Sequence, residues 1–510
     1  GQRKELVTDQ NCDDCTDGPG PQVQRAHILR STSILVTKFS SDGQTVIWST
    51  YFNGSPNEIL DLGINSAAVS DAGEVAFGLL NAPAGLPLAN ATQSFAVGQL
   101  NAYVAKLSPA GNALVFGTYL NTGDSGSHLL RGLDVSASGQ VAVSGMLGGT
   151  NTFPVVGGIP GQSCAMNLAQ NEFAEGFVAL FDTAGELIFS SCLGGDIKDG
   201  PGTEGLRGVA IGPGGDLYVL GYSSMTDFPL VNPVQPAKHV PGARDMTISR
   251  IDPDDGTLVF STWFGPTAKE KPPYGKDYDK NDEPYLTFFP SHILTDSGGN
   301  IIVTGVIGAL SYPAVTALQS NLAVPRTSAE FLAASYWGAD LPPFEAVSDF
   351  FVTKLHPVNG VIFSTYLGGS QEESGFPSLA LDADDNIYLA GLSASTDYPV
   401  QNAIQASPPS AYSMVLSTLT PAGALAFSTY LGGSEPYPAQ GKAGVAVNAT
   451  GKIIHVGATD SNDFPLAGPA TSFAGGVDAT LSIIDPSGDT DTDGDGVPDA
   501  VDDFPADAGE

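Results

Sequence analysis

A paired pattern of short apolar runs recurs along nearly the whole chain, and it limits the fold more than any other feature. One half of the pattern is an apolar run, a glycine-bearing turn, and an aromatic run closing on Leu-Gly-Gly. It reads VAKLSPAGNALVFGTYL at 104–120, VTKLHPVNGVIFSTYLGG at 352–369 and LSTLTPAGALAFSTYLGG at 416–433. Looser copies stand at 36–52, 178–195 and 248–265, so the aromatic position passes through Tyr51, Tyr119, Cys192, Trp263, Tyr366 and Tyr430. The other half reads GVAIGPGGDLYVLG at 208–221, ILTDSGGNIIVTG at 293–305, LALDADDNIYLAG at 379–391 and VAVNATGKIIHVG at 445–457. Weaker copies lie at 64–78 and 132–145, and several copies are followed by TDFP (226–229), TDYP (396–399) or NDFP (462–465). Such a repeat governs every local assignment, because each unit buries its apolar face only against its neighbours. Runs of Val, Ile, Phe and Tyr between Asp, Gly and Asn turns are the signature of hairpins. Two hairpins per period predict a four-stranded antiparallel sheet, and radial repetition of such sheets is an all-β propeller.

The FSTYLGG run, the Asp-x-x-Gly-Asn hairpin and the S-x-T-D-F-P ending together resemble the bacterial seven-bladed β-propeller repeat family, over roughly residues 30 to 488. The resemblance implies that the Gly-ending half supplies the two inner strands of each blade and the aromatic half the two outer ones. Six copies of the Gly-ending half count six blades. The family pattern favours seven, and ATLSIIDPSG (479–488) reads as one more truncated start. The chain begins on an outer hairpin (34–52), so N- and C-terminal strands are expected to close the ring. A terminal outer strand would then pair near 478–485, since an open edge invites aggregation. The expected organisation is a leader with a C-x-x-C at 1–29, the propeller at 30–488 and an acidic tail at 489–510.

Composition agrees with this reading. The 510 residues include 62 Gly and 37 Pro, which break long helices, while 42% apolar residues give enough material for a sizeable core. Twenty basic against 55 acidic residues leave a formal charge of −35, which disfavours a nucleic-acid partner because phosphate binding draws on clustered Lys and Arg. No apolar run reaches eighteen residues, so no membrane insertion is expected of this segment. The first residue is Gly and no signal peptide is visible, which fits a mature exported form and equally a trimmed one; the expected location is extracellular or the cell surface.

Four cysteines in 510 residues do not make a disulfide scaffold. Cys12 and Cys15 form a C-x-x-C that could be a redox pair, half a zinc site or a small disulfide; among Asn11, Asp13, Asp14 and Asp17, a loop setting whose anions raise thiol pKa values, a structural disulfide or no role at all is expected. Cys164 stands in a long connection and Cys192 replaces the aromatic of the outer hairpin in the same blade; in an oxidising compartment the two are expected to bond.

In a four-stranded meander the first–second and third–fourth hairpins share one face, and here they are short. The long connections (80–101, 149–175, 265–291 and 306–349) share the other face, where variable loops on a rigid scaffold serve binding. Tyr274, Tyr278, Tyr285, Tyr336 and Trp337 in those connections are candidates for an aromatic platform facing a protein, a polysaccharide or another copy of the chain. Catalytic signatures are scarce. His27, His128, His239, His292, His356 and His455 show no ligand spacing, and no nucleophile elbow, P-loop or dinucleotide fingerprint is present. His455, within Ile-Ile-His-Val, reads as a satisfied core histidine.

The acidic run DTDTDGDGVPDAVDDFP (489–505) places Asp491, Asp493, Asp495, the Val497 carbonyl, Asp499 and Asp502 at the offsets of a calcium loop, with Gly496 at the sharp turn. It also resembles the thrombospondin type 3 calcium repeat, which implies a calcium-binding linker in a secreted protein. The resulting expectation is a non-catalytic binding, adhesion or extracellular assembly protein with calcium as its cofactor. A polysaccharide-acting lyase or hydrolase and a structural subunit of an extracellular polymer are the alternatives.

Overall fold

The computed structural model describes residues 34–40, 45–52, 64–82, 84–96, 101–121, 128–148, 153–164, 175–195, 204–238, 245–266, 288–308, 312–322, 348–435, 443–465, 475 and 477–486. They form 25 strands and no helix. An N-terminal hairpin pairs β1 (Ile34–Phe39) with β2 (Val46–Phe52). The first complete blade is β3 (Ile64–Val69), β4 (Val75–Ala82), β5 (Asn101–Leu107) and β6 (Leu114–Leu120). The second is β7 (His128–Val135), β8 (Val141–Leu147), β9 (Glu175–Phe181) and β10 (Leu187–Leu193). The third is β11 (Glu204–Ile211), β12 (Leu217–Ser223), β13 (Asp245–Ile251) and β14 (Leu258–Phe264). The fourth is β15 (Phe288–Thr295), β16 (Ile301–Ile307), β17 (Asp349–His356) and β18 (Gly360–Leu367). The fifth is β19 (Glu373–Leu381), β20 (Ile387–Ser393), β21 (Ser413–Leu419) and β22 (Leu425–Leu431). The last sheet has three strands, β23 (Gly444–Val447), β24 (Ile453–Thr459) and β25 (Asp478–Ile484).

Each four-stranded sheet runs in simple sequence order, and the inner strands β3, β7, β11, β15, β19 and β23 pack on one another in succession. The Gly-ending half-repeat is therefore the inner half of every blade. The cores lie between blades: Phe116 of one blade meets Phe181 of the next at 5.5 Å between centroids, and Phe350 meets Tyr398 at 6.4 Å. Sandwiched in this way, strands such as β5, β9, β16 and β21 are buried on both faces along their whole length. Each large side chain removed from water there contributes about 1.5–3 kcal/mol.

Both blade counts have a counterpart. Six sheets carry an inner strand, as the half-repeat count gives, and β1–β2 stands where the outer half of a preceding blade would stand. Phe116 and Phe363 each lie against the turn glycine of the following blade, Gly185 and Gly423, whose φ angles of 95° and 86° suit glycine. Trp48 on β2 lies in the same way against Gly111 (φ 66°) and donates from Nε1 to the Pro109 carbonyl at 3.0 Å. The ladder expected between a terminal outer strand and residues 478–485 is not formed: β25 pairs with β24 and β1 with β2, and no ladder joins the two sheets. The reason lies in the repeat, because β1 and β25 are both third strands, and one meander has a single third position.

Candidate functional site

The repeat residues first explain what holds each blade, and so which residues are left for binding. Thr118, Thr262, Thr365 and Thr429, from the Ser-Thr-aromatic run and its variants, accept backbone N–H bonds from Gln93, Gln235, Gln319 and Gln405 at 2.9 Å each. The same glutamines reach the chain after the fourth strand: Gln319 Oε1 accepts from Gly368 N at 2.9 Å, and Gln405 Oε1 from Gly432 N at 2.9 Å. Three residues before them stand Asn90, Asn232, Thr316 and Asn402, all with positive φ. This recurring N-x-x-Q was not singled out from the sequence, although ANATQ, VNPVQ and QNAIQ carry it visibly.

Parts of the connections between second and third strands run back along the fourth strand, with bridges Ala89↔Gly117, Val156↔Ser190, Val231↔Ser261, Val315↔Ser364 and Gln401↔Ser428. An outermost strand exposes unpaired N–H and C=O groups, and these segments cover it.

The Leu-Gly-Gly glycines are required by acids. A Cβ at Gly194 would collide with Glu175 and Glu204, and one at Gly368 with Asp349 and Glu373. Gly195, Gly369 and Gly433 lie against Asp227, Asp397 and Asp463, the acids of the punctuation motif. Asp397 Oδ1 accepts from Ser370 N at 2.7 Å and Asp463 Oδ1 from Ser434 N at 2.8 Å. Burial pushes Glu204 up to about 7. Burial, then the Asp349 charge beside it, raises Glu373 well above the usual carboxylate range, while Ser393 Oγ and Gly369 N donate to it. Glu175, Glu204, Asp349 and Glu373 are at most 5% exposed, so these acids are packed inside the blades.

Buried cations tie the short hairpins of neighbouring blades to one another. Lys106, wholly buried, donates to Glu74 Oε2 at 3.0 Å and to the carbonyls of Gly139 and Thr183 in the next blade at 2.9 and 2.8 Å. Lys354 pairs with Asp296 at 2.8 Å and reaches the Pro421 carbonyl at 3.3 Å, and Arg250 pairs with Asp216.

At the axis the arrangement differs. Inner strands β3, β7, β11, β15 and β19 each break register near their start: Ile64/Ser66, Leu130/Gly132, Leu206/Gly208, Pro290/His292 and Ser374/Ser378. A bulge of this kind re-aims a side chain, and the extra residues include Arg131, Arg207 and Ser291. Side chains then tie several of these bulges to the neighbouring blade. Ser66 Oγ donates to the Arg131 carbonyl at 3.2 Å, Ser291 Oγ to the Pro377 carbonyl at 2.9 Å, and Leu379 N to His292 Nδ1 at 2.9 Å. Burial lowers the His292 pKa, which keeps that nitrogen free to accept.

Arg207 occupies the centre of this mouth. Its guanidinium carbon lies 5.2 Å from the Tyr222 ring, 5.7 Å from Phe289 and 5.8 Å from Phe376. Those rings belong to three successive blades, so the guanidinium stands near the axis. Tyr222, Met146 and Leu129 form a small apolar cluster under it, whereas Phe289 and Phe376 are each 38% exposed. This half of the inner strands adjoins the blade-to-blade crossings, on the face opposite the short hairpins. A cation set among aromatic rings, two of them part-exposed, is an arrangement that can bind.

Of the residues singled out in the sequence, the structure brings together Cys164 and Cys192, which form a disulfide with Cα atoms 5.2 Å apart. Cys12, Cys15, Tyr274, Tyr278, Tyr285, Tyr336, Trp337 and the tail ligands Asp491, Asp493, Asp495, Val497, Asp499 and Asp502 lie outside the described residues. His455 is wholly buried in β24, but it is not satisfied as expected: among the described residues neither ring nitrogen has a hydrogen-bond partner.

No protein family and no curated protein matches this chain. Among solved structures, a protein of unknown function from Dyadobacter fermentans is similar at 10% identity and a TM-score of 0.38, over 83% of this chain and 95% of that one. A polysaccharide lyase described as an ulvan lyase is similar at 10% identity and 0.38, over 82% and 78%. An α-L-arabinofuranosidase of Fusarium graminearum in complex with arabinobiose is similar at 9% identity and 0.38, over 82% and 93%. Likenesses this distant carry no argument about what the chain does.

Proposed function

We propose that this chain is an exported β-propeller that binds an extracellular protein or polysaccharide without transforming it, using the axial mouth on the face opposite its short hairpins. The observation that carries the reading is the convergence of Tyr222, Phe289 and Phe376 from three blades around Arg207, with two of the rings left open. The Cys164–Cys192 disulfide supports export, because such bonds persist in oxidising compartments. Burial of the junction carboxylates supports a structural role for them, leaving the mouth as the chemically distinctive surface. The acidic tail is proposed to hold one calcium ion through Asp491, Asp493, Asp495, the Val497 carbonyl, Asp499 and Asp502.

The test is to present the purified protein to a panel of polysaccharides and surface proteins while assaying for new reducing ends and unsaturated sugars, with light scattering in parallel. The reading expects retention on at least one ligand, no product, and a monomer in solution. Release of product favours the enzymatic alternative, and polymers formed without ligand favour the structural subunit.

A further inference from the structure

We propose that the Arg207 cluster recognises a carboxylate carried on a sugar ring, the repeating unit of a uronic-acid polysaccharide. The inference rests on the reading that the axial mouth binds ligand, and it specifies the ligand. Three buried or half-buried cations elsewhere are neutralised by acids: Lys106 by Glu74, Arg250 by Asp216 and Lys354 by Asp296. In a chain with 55 acidic and 20 basic residues, that is the expected fate of a cation. Arg207 departs from it. Among the described residues no acid pairs with it, its Nε is buried with no hydrogen-bond partner, and aromatic rings surround it.

Rings hold a guanidinium by its face and leave its in-plane N–H fork unused. That fork matches the two oxygens of a carboxylate, and the paired bonds are strong because both partners are charged. The surrounding surface suits a saccharide ring. Phe289 and Phe376 are each 38% exposed and offer apolar surface beside the guanidinium, and Phe376 lies in the wide bulge between Ser374 and Ser378, where Gly375 has φ 80°. Aromatic surface beside one charged group supplies both a seat and an orientation for a small ring. The overall charge of −35 repels an anion at long range, and at physiological salt this repulsion is screened beyond about 8 Å. The site therefore acts at contact distance.

The experiment is calorimetry at physiological ionic strength with trigalacturonic acid and with its methyl ester, on the wild type and on Arg207→Gln, Arg207→Lys and Phe376→Ala. Thermal melts verify that each variant folds. The proposal expects the acid to bind the wild type at least tenfold more tightly than the ester does. It expects Arg207→Gln to lose at least tenfold for the acid alone, Arg207→Lys to lose less, and Phe376→Ala to weaken acid and ester together. Should Arg207→Gln not fold, the comparison of acid and ester on the wild type decides alone. Equal binding of acid and ester, equal binding of the acid by wild type and Arg207→Gln, or no heat at millimolar acid would overturn the proposal. A neutral sugar or protein ligand that still needs Phe289 and Phe376 would overturn it while leaving the broader reading in place.

Discussion

Neither ring nitrogen of His455 finds a partner among the described residues, although the side chain is wholly buried between β23 and β25. A buried polar group left in this way costs about 1–3 kcal/mol, so His455→Leu should raise stability at pH 7 by roughly that amount. Burial lowers the His455 pKa from 6.5 to about 4. The unfolded chain therefore binds the proton more readily, and wild-type stability falls as pH drops from 6.5 towards 4. Urea denaturation at pH 7 and pH 5 should show a smaller loss in His455→Leu; parallel losses would contradict the account. Glu373 has the opposite sign. Its folded pKa is raised, so its contribution is full below the unfolded value and is lost as pH rises through the folded one. Glu373→Gln should accordingly gain on the wild type between pH 5 and pH 8.5, by at least about 1.4 kcal/mol, the linkage of one pKa unit. A difference that does not change with pH would contradict a raised Glu373 pKa.

At the scale of the element, one tether recurs in different chemistry. Tyr119, Tyr366 and Tyr430 accept at Oη from the backbone N–H of Leu86, Tyr312 and Tyr398 at 3.0, 3.1 and 2.9 Å, fastening the second–third connection to the fourth strand. Where the aromatic is replaced by Cys192, the disulfide to Cys164 fastens the same connection, closing a 28-residue separation. Reduction, or Cys164→Ala with Cys192→Ala, should cost roughly 3–4 kcal/mol by loop entropy. Melting with and without reductant is the check, and an unchanged melt with two titratable thiols would refute it. The glutamine clamp belongs to the same scale. Gln405→Ala removes bonds to both the N–H and the carbonyl of Gly432 and should cost about 1–3 kcal/mol in denaturant titration; a change under about 0.5 kcal/mol, the size of an ordinary surface substitution, would make the clamp incidental.

For the molecule as a whole, strand order and the inner and outer halves were legible because the repeat encodes them in six near-copies. Covered edges were harder to see. The segments around Gln93, Gln235, Gln319 and Gln405 contribute single bridges rather than alternating runs, so they read as loops. The axial site was hidden for another reason. Arg207, Phe289 and Phe376 lie up to 169 positions apart, on three different strands, and only a ring of blades brings them together. The failed pairing of β25 with β1 was in principle readable, since both copy the third strand. For the acidic tail, calorimetry should detect one calcium ion, lost in Asp495→Ala, while the melting of the propeller changes little. Absence of binding heat at millimolar calcium, the weak limit of extracellular modules, would remove the site.

The central claim is that the axial mouth on the face opposite the short hairpins is the working surface. It is tested most directly by measuring retention of wild type and of the double variant Phe289→Ala with Phe376→Ala on whichever ligand the wild type holds. Both rings are part-exposed, so the variant should fold and melt close to the wild type. The account predicts retention of the wild type and at least a tenfold loss in the variant, with no product formed by either. Equal retention by the two proteins would contradict it.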